Sequence, residues 1–320
     1  MTYPTREGRA AEGQHVWRVE VVDEWAMASD SDQLRTTDEP LGTKEKFWVS
    51  APDDSRYLFK YARVHESGRI MGEDWVEWVV HELATMLSIP TATVIPATHS
   101  NRRGVLSLSV LRPGDRLIHG NELLTRIDPS YDGRISRKNP RYTVEAVCAA
   151  LDGVAAPASC QPPISTAFDV WAGYLILDAW VAGRDRHHEN WAAIDHAGKL
   201  ELAPSFDHGN ALGFQEREEC VQELAYSEES LARWARRGRS HHFCDDGVEG
   251  RPGLVHLAST ALELASPGVR EHWFGALAAV TNAQIQAVLG SVPPGYLSEV
   301  GRTFRTKLLH HNQERILHGD

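Results

Sequence analysis

The spacing of hydrophobic residues divides the chain into a strand-rich part followed by a helix-rich part. The pattern of apolar and polar positions in the first part predicts strands over residues 16–22, 56–61, 91–95 and 105–111, and a glycine-marked turn that enters a strand over 41–49. The segment over residues 72–88 repeats instead with helical spacing and predicts an amphipathic helix. The triplet Arg112-Pro113-Gly114 then interrupts the pattern and predicts a hinge.

Beyond this hinge the apolar spacing is mainly helical. It predicts helices over residues 143–151, 168–181, 216–236, 253–264, 269–279, 282–289 and 296–317. Two strands over residues 191–194 and 199–203 interrupt the series and predict a hairpin with its turn at His196-Ala197-Gly198. We therefore expect an α+β, bilobal fold with a disordered N-terminus over residues 1–15, a strand-rich N-lobe over 16–112 and a helical C-lobe over 113–320.

Charge and composition exclude several classes of protein. The 320 residues include 33 Lys and Arg against 44 Asp and Glu, a formal charge of −11, which argues against nucleic acid or an anionic membrane as the main partner. Membrane-spanning runs, a signal core and paired cysteine motifs are absent from the sequence, so we expect a cytoplasmic protein. The cluster Arg233, Arg236, Arg237 and Arg239 could dock an acidic partner, although a solvated helix face explains it more simply. Three pairs of histidines are adjacent, at 187–188, 241–242 and 310–311, and lack the i, i+4 spacing of a helix-borne site, which argues against a structural metal.

The candidate chemistry centres on Asp185 and Asn190, which flank a short loop between the helix over 168–181 and the strand over 191–194. Asp207 follows the second strand of the hairpin, so all three side chains can face one cleft. Phosphoryl transfer needs one carboxylate to orient a hydroxyl nucleophile, and an amide oxygen with a second carboxylate to hold Mg²⁺. The alternative is that these residues only cap backbone amides in loops.

A nucleotide clamp is predicted in the strand-rich part. Lys60 lies between Phe59 and Tyr61 in an apolar strand, where its amine could contact phosphates, and Glu77 begins the following helix, where it could hold the lysine. Simpler explanations are a surface lysine and a glutamate favoured by the helix dipole. The turn at Gly42-Thr43-Lys44 would cover the phosphates, although it matches neither common phosphate-loop pattern.

Taken in order, these segments resemble the HipA-like serine/threonine kinases of bacteria, including the shorter CtkA-type members. The matching runs are Gly42-Thr43-Lys44-Glu45-Lys46, Tyr57-Leu58-Phe59-Lys60, the helix with Glu77, Gly183 to Trp191, and Leu202 to Asp207. The resemblance implies a bilobal protein-kinase-like fold and ATP- and Mg²⁺-dependent phosphorylation of a protein hydroxyl.

The resemblance also assigns roles to individual residues. Asp185 would be the catalytic base, and Asn190 and Asp207 the metal ligands. Lys60 would contact the phosphates with Glu77 as its partner, beneath a loop containing Gly42, Thr43 and Lys44. The segment 109–112, which includes Leu111, would contact adenine. A protein substrate and an antitoxin or regulatory partner would complete the system.

Two other functions are compatible with the same residues. A small-molecule kinase would use the same Asp, Asn and Asp, but would need a closed, acid-lined acceptor pocket. A non-catalytic nucleotide-binding or interaction module would keep the fold without the transfer. The sequence identifies neither the acceptor nor the oligomeric state.

Overall fold

The strand-rich part forms a mixed six-stranded sheet. The computed structural model describes residues 15–27, 45–135, 137, 139–244 and 250–319. The strands are β1 (Glu20–Val21), β2 (Ala26–Met27), β3 (Lys46–Ser50), β4 (Arg56–Tyr61), β5 (Val94–His99) and β6 (Arg102–Leu108). Their order across the sheet is β1-β5-β6-β4-β3-β2, with β1 parallel to β5 and the other neighbours antiparallel.

The alternation of side chains along β4 places Lys60 on the face of this sheet that helix α1 (Glu73–Met86) covers. Phe59 and Tyr61 point to the opposite face, where they pack in a small core with Val49 and Leu106. Lys60 is therefore directed towards helix α1, which contacts β5 and β6 and carries Glu77. The two-residue period of the strand accounts for a buried amine between two apolar neighbours.

A second, three-stranded sheet follows the segment over residues 112–114, where the sequence predicts a hinge. It contains β7 (Arg116–His119), β8 (Ala192–His196) and β9 (Lys199–Leu202) in the order β7-β8-β9. The tight turn between β8 and β9 has φ values of 53° at Ala197 and 92° at Gly198, as a type I′ hairpin turn requires. The predicted hairpin is thus confirmed, whereas β7 was missed because it is too short for a clear alternating pattern.

Ten helices are present in the described part of the chain, and a fully buried one organises the others. They are α1, α2 (Gly120–Ile127), α3 (Val144–Ala150), α4 (Ala167–Val181), α5 (Glu218–Tyr226), α6 (Glu228–Arg236), α7 (Leu254–Leu264), α8 (Val269–Ala279), α9 (Asn282–Ser291) and α10 (Glu299–His318). Every residue of α4 is buried, consistent with a sequence that is apolar on all sides. Thr166 and Asp169 start α4 with a reciprocal capping box, and it ends at Ala182 in the left-handed conformation.

A continuous hydrophobic core joins α1 to the helices of the second half. Arg305, on α10, lies 5.3 Å from the centre of the Trp75 ring, and its guanidinium donates to the carbonyls of Leu212 and Gly213. Arg103 pairs with Asp74 and also donates to the carbonyl of Gly295, 3.1 Å away. No helix among the described residues has both the length and the hydrophobicity that a bilayer span requires.

Several predicted boundaries differ from the structure. The helix predicted over residues 216–236 is two helices, because Ser227 adopts an extended conformation and its hydroxyl accepts a hydrogen bond from the Ser230 amide to start α6. The strand predicted over 16–22 contains only Glu20–Val21, and the predictions over 91–95, 105–111 and 296–317 shift by a few residues. Helix α2 was not predicted. The predictions on residues 1–14 and 28–44, including the phosphate-loop turn, lie outside the described residues.

A close contact between two helices provides a test of the packing. A Cβ at Gly173 in α4 would lie 2.6 Å from the Trp273 ring, whose indole nitrogen is fixed by donation to the Asp169 carbonyl at 3.0 Å. We expect Gly173→Ala to lower the free energy of unfolding by about 1–2 kcal/mol, because overpacking of about 1–3 kcal/mol outweighs the helical gain of alanine. Gly275→Ala on α8 is the matched control, since a Cβ added there would meet no described atom within 4 Å. Both variants are measured by urea titration, and Gly275→Ala should raise the free energy of unfolding by about 0.5–1 kcal/mol. A Gly173→Ala variant that is more stable than the wild type would contradict the close packing of Gly173 on Trp273.

Candidate functional site

Lys60, on the six-stranded sheet, contacts Glu77 of α1 and Asp207, which follows the β8–β9 hairpin. Its ammonium lies 3.3 and 3.4 Å from the two carboxylate oxygens of Glu77 and 3.1 Å from Oδ1 of Asp207. Lys60 is 8% exposed and Glu77 is 2% exposed, so the contact between these two side chains is shielded from water. Burial alone would lower the pKa of Lys60, but the Asp207 and Glu77 carboxylates outweigh it and raise the pKa.

Asp207 is held in a conformation that non-glycine residues seldom adopt. Its φ is 60°, in the left-handed region where aspartate is tolerated better than most residues. Two residues earlier, the Ser205 hydroxyl is hydrogen-bonded to Nε2 of His208 at 2.7 Å, which closes the chain around Asp207. Strained backbone of this kind often occurs at functional sites.

Asp185 and Asn190 are positioned by the loop that follows α4. The Asn190 side-chain nitrogen donates to the Asp185 carbonyl at 2.7 Å, and its backbone amide donates to the His187 carbonyl at 2.9 Å. The loop is therefore closed on itself, and the amide oxygen of Asn190 is oriented away from the nitrogen used in this bond. Asp185, Asn190 and Asp207 line one narrow crevice.

A buried ion pair attaches this loop to α4. Arg186 binds both carboxylate oxygens of Asp178 at 2.8 Å, and its remaining guanidinium nitrogen donates to the Asn190 carbonyl at 3.0 Å and the Ser205 hydroxyl at 2.8 Å. Burial alone would lower the pKa of Arg186, but the Asp178 carboxylate raises it, so the guanidinium stays charged. This pair was not predicted from the sequence, where its signal was Asp178, the single acid in the apolar run over residues 170–181.

His242 was also missed, because it belongs to a distant loop without regular spacing. Its Nε2 lies 2.7 Å from Oδ1 of Asp185. Burial alone would raise the pKa of Asp185, whereas the hydrogen bond and charge of His242 lower it, as does the nearby His187. Asp185 is therefore an ionised carboxylate near neutral pH.

The surrounding loop fixes His242 firmly. The Ser240 hydroxyl accepts bonds from the backbone amides of His242 and Phe243, both at 3.2 Å. The Phe243 ring stacks on Tyr142 with centres 4.2 Å apart, and the Cys244 amide donates to the Tyr142 carbonyl at 2.9 Å. The imidazole consequently has a defined direction towards Asp185.

Three neighbouring side chains of metal-ligand type lie on the loop that follows α4. His187, His188 and Glu189 have ligand atoms within 4.8 Å of one another. His188 is 1% exposed and its Nδ1 lies 2.5 Å from the Tyr131 hydroxyl. Burial lowers the pKa of His188 to about 4, so it is neutral near pH 7 and acts as a core histidine bonded to tyrosine.

Leu111, the other predicted site residue that the structure describes, is not among the residues that line the crevice. Leu111 packs beside Ala192, Ile194 and Ala203, in the small cluster that also contacts Phe206. Gly42, Thr43 and Lys44 lie outside the described residues. The structure thus brings together Lys60, Glu77, Asp185, Asn190 and Asp207, and leaves the roles of the loop and of Leu111 as predictions.

Comparisons with known proteins agree with this architecture. No family model matches the sequence, and no curated protein matches it. Among solved structures, the proinflammatory kinase CtkA of Helicobacter pylori is similar, with a TM-score of 0.71 and 15% identity over 94% of this chain and 95% of that chain. HipA from Shewanella oneidensis MR-1, in a toxin–antitoxin complex with HipB and operator DNA, gives a TM-score of 0.54 and 12% identity over 87% of this chain and 65% of the matched chain.

Similarity at such low identity concerns the fold, and it covers nearly the full length of both chains in the first comparison. The expected α+β class is confirmed, and so is the resemblance to HipA-like kinases at the level of three-dimensional structure. This chain therefore has the HipA-like kinase fold.

Proposed function

We propose that the chain is an ATP- and Mg²⁺-dependent kinase of HipA-like type that phosphorylates a serine or threonine hydroxyl on a protein. The observation that carries this proposal is the contact of Lys60 with Asp207 at 3.1 Å, beside a crevice that Asp207 shares with Asp185 and Asn190. An amine for phosphate, oxygen ligands for a metal and a carboxylate base are the groups that phosphoryl transfer requires.

The donor set fits a Mg²⁺ ion. Asp207 and Asn190 would supply a carboxylate and an amide oxygen, the hard ligands that this ion prefers. The ammonium of Lys60 already lies against Asp207, which supports a local preference for positive charge. When bound, Mg²⁺ would neutralise charge on the phosphates of ATP.

The other nucleotide contacts follow from the resemblance. Lys60, steadied by Glu77, would donate to a phosphate oxygen. Gly42, Thr43 and Lys44 would cover the phosphates, and Leu111 in the segment 109–112 would lie against adenine.

Asp185 would act as the catalytic base. In the transfer, the acceptor oxygen bonds to the γ-phosphorus, the bond to the bridging oxygen of ADP breaks, and the hydroxyl proton passes to Asp185. One carboxylate oxygen of Asp185 is engaged by His242 at 2.7 Å. We assign His242 as a positioning residue that directs the second oxygen towards the acceptor.

A protein acceptor is favoured over a cationic small molecule by the charges next to Asp185. Burial and then the charge of Arg251 lower the pKa of Arg184 while Glu216 raises it, so two cations and one acid lie together here. A small-molecule kinase for cationic substrates would need acids at this position instead. The structural likeness to HipA, crystallised with HipB and operator DNA, leads us to propose an antitoxin or regulatory protein as a further partner.

Asp185→Asn tests the base. We expect transfer from radiolabelled ATP to proteins of a cell lysate to fall by about 10²- to 10⁴-fold, because the amide cannot accept the hydroxyl proton. Thermal stabilisation by MgATP should persist, since the phosphate and metal contacts remain. Asp152→Asn, at an exposed position, is the matched control and should retain wild-type activity. Undiminished transfer by Asp185→Asn would refute the assignment.

Lys60 and Glu77 can be tested as a coupled pair. Lys60→Met should lower the free energy of unfolding by about 3–5 kcal/mol, because it removes the ammonium group that lies against the buried Glu77 carboxylate. Adding Glu77→Leu should restore part of this stability, since the remaining Asp207 side chain is 33% exposed and can be hydrated. Isothermal titration should detect no MgATP binding by either variant. If the double variant Lys60→Met with Glu77→Leu bound MgATP with wild-type affinity, Lys60 would have only a structural role.

The positioning role of His242 can be tested by kinetics. We expect His242→Ala to lower kcat by about tenfold with little change in KM for ATP, because the base is misoriented while the nucleotide site is intact. His242→Gln should recover most of kcat, since its amide can still donate to Asp185. His241→Ala is the neighbouring control, because the bond from the His241 backbone amide to Arg184 does not need the side chain. Equal loss in the Gln and Ala variants would contradict positioning by a hydrogen bond.

A further inference from the structure

The C-terminal end of α6 forms an open groove lined mainly by arginine. Its lining residues, which we call the arginine groove, are Glu229, Ala232, Arg233, Arg236, Arg237 and Arg239. It therefore contains four guanidinium groups and one carboxylate, on a chain whose formal charge is −11. The groove therefore carries positive charge, whereas the net charge of the chain is negative.

Helix stability explains only part of this cluster. Arg233 and Arg236 lie in the last turn of α6, where cations interact favourably with the helix dipole, and Arg233 pairs with Glu229 at 2.6 Å. Arg237 and Arg239 come after the last helical residue and are both exposed. The helix dipole therefore does not explain the presence of these two arginines.

The groove is connected directly to the proposed base. The carbonyl of Arg239 accepts a hydrogen bond from Nε of Arg184 at 3.1 Å, and the amide of His241 donates to the carbonyl of Arg184 at 3.0 Å. The next residue, His242, contacts Asp185. Three residues extend at most about 11 Å, so the backbone of Arg239 lies within that distance of the backbone of His242.

Positive charge continues from the groove towards the crevice. Arg251 lies 3.4 Å from Nδ1 of His241. Burial first, and then the charge of Arg251, lower the pKa of Arg184, whereas the charge of Glu216 raises it. Two cations and one carboxylate therefore share this region, which leaves positive charge for anionic groups to bind.

We propose that the arginine groove binds an acidic segment of the protein acceptor, with Asp or Glu side chains a few residues from the phosphorylated hydroxyl. This inference rests on the proposed kinase function and adds the substrate class. Guanidinium groups bind carboxylates with paired hydrogen bonds, and a chain segment of a few residues spans the distance from Arg239 to Asp185. The cluster that the sequence explained as a solvated helix face thereby acquires a role in acceptor selection.

The test measures binding, so it gives a result whether or not the chain transfers phosphate. The probe is a fluorescein-labelled peptide with a central serine flanked by glutamates, compared with the same peptide carrying glutamines. We expect the intact chain to bind the glutamate peptide about tenfold or more tightly by fluorescence anisotropy. This preference should weaken as NaCl rises from about 50 to about 200 mM.

Charge-reversing variants locate the effect. Arg237→Glu with Arg239→Glu should abolish the preference for the glutamate peptide. Arg18→Glu with Lys199→Glu changes the net charge equally at exposed positions outside the groove and should leave the preference in place. In an active preparation, the groove variant should raise KM for the glutamate peptide while kcat changes little.

Three outcomes would overturn the proposal. The intact chain could bind both peptides equally, or the groove variant could keep the preference. In the third outcome, a single-stranded oligonucleotide of equal charge binds more tightly than the peptide and displaces it, which would identify a nucleic-acid surface instead.

Discussion

The buried pair of Arg186 and Asp178 is the interaction on which the geometry of the crevice depends. Arg186 lies next to Asp185 in sequence, yet its guanidinium points inward to α4, to the Asn190 carbonyl and to the Ser205 hydroxyl. Removing one member of such a pair leaves a buried charge and costs about 3–5 kcal/mol. The inward Arg186 side chain therefore anchors the loop that presents the outward Asp185.

Ser205 extends this constraint to the sheet that carries Lys60. Its amide donates to the Pro90 carbonyl, and its carbonyl accepts from the Ala92 amide, both at 2.9 Å, just before β5. The same residue thus links the loop after α4 with the entry to the six-stranded sheet. Polar networks of this kind are strengthened by mutual polarisation in a low-dielectric interior. The distance between the amine of Lys60 and the acids is set by hydrogen bonds as much as by hydrophobic packing.

Much of this arrangement could be predicted from the sequence, because strands and helices have fixed periods. The position of Lys60 between two apolar residues of β4 favoured a role for its amine over a plain surface position, and the hairpin signal indicated that Asp207 returns to the loop of Asn190. His242 could not be predicted, since its position depends on the stacking of Phe243 on Tyr142, which has no sequence period. The break between α5 and α6 did have a signal, since Ser227 is followed by two glutamates, but the apolar spacing continued through it.

The hairpin between Asn190 and Asp207 also limits how this chain can diverge. Inserting one residue into β8 or β9 would move every later side chain of that strand to the opposite face of the sheet. The direction of Asp207, or of the residues that hold it, would change as well. The tip at Ala197 and Gly198 lies beyond the last strand pair, so additional residues there would leave both arms in register. Insertions at the tip are therefore compatible with the site, whereas the lengths of the two strands must stay fixed.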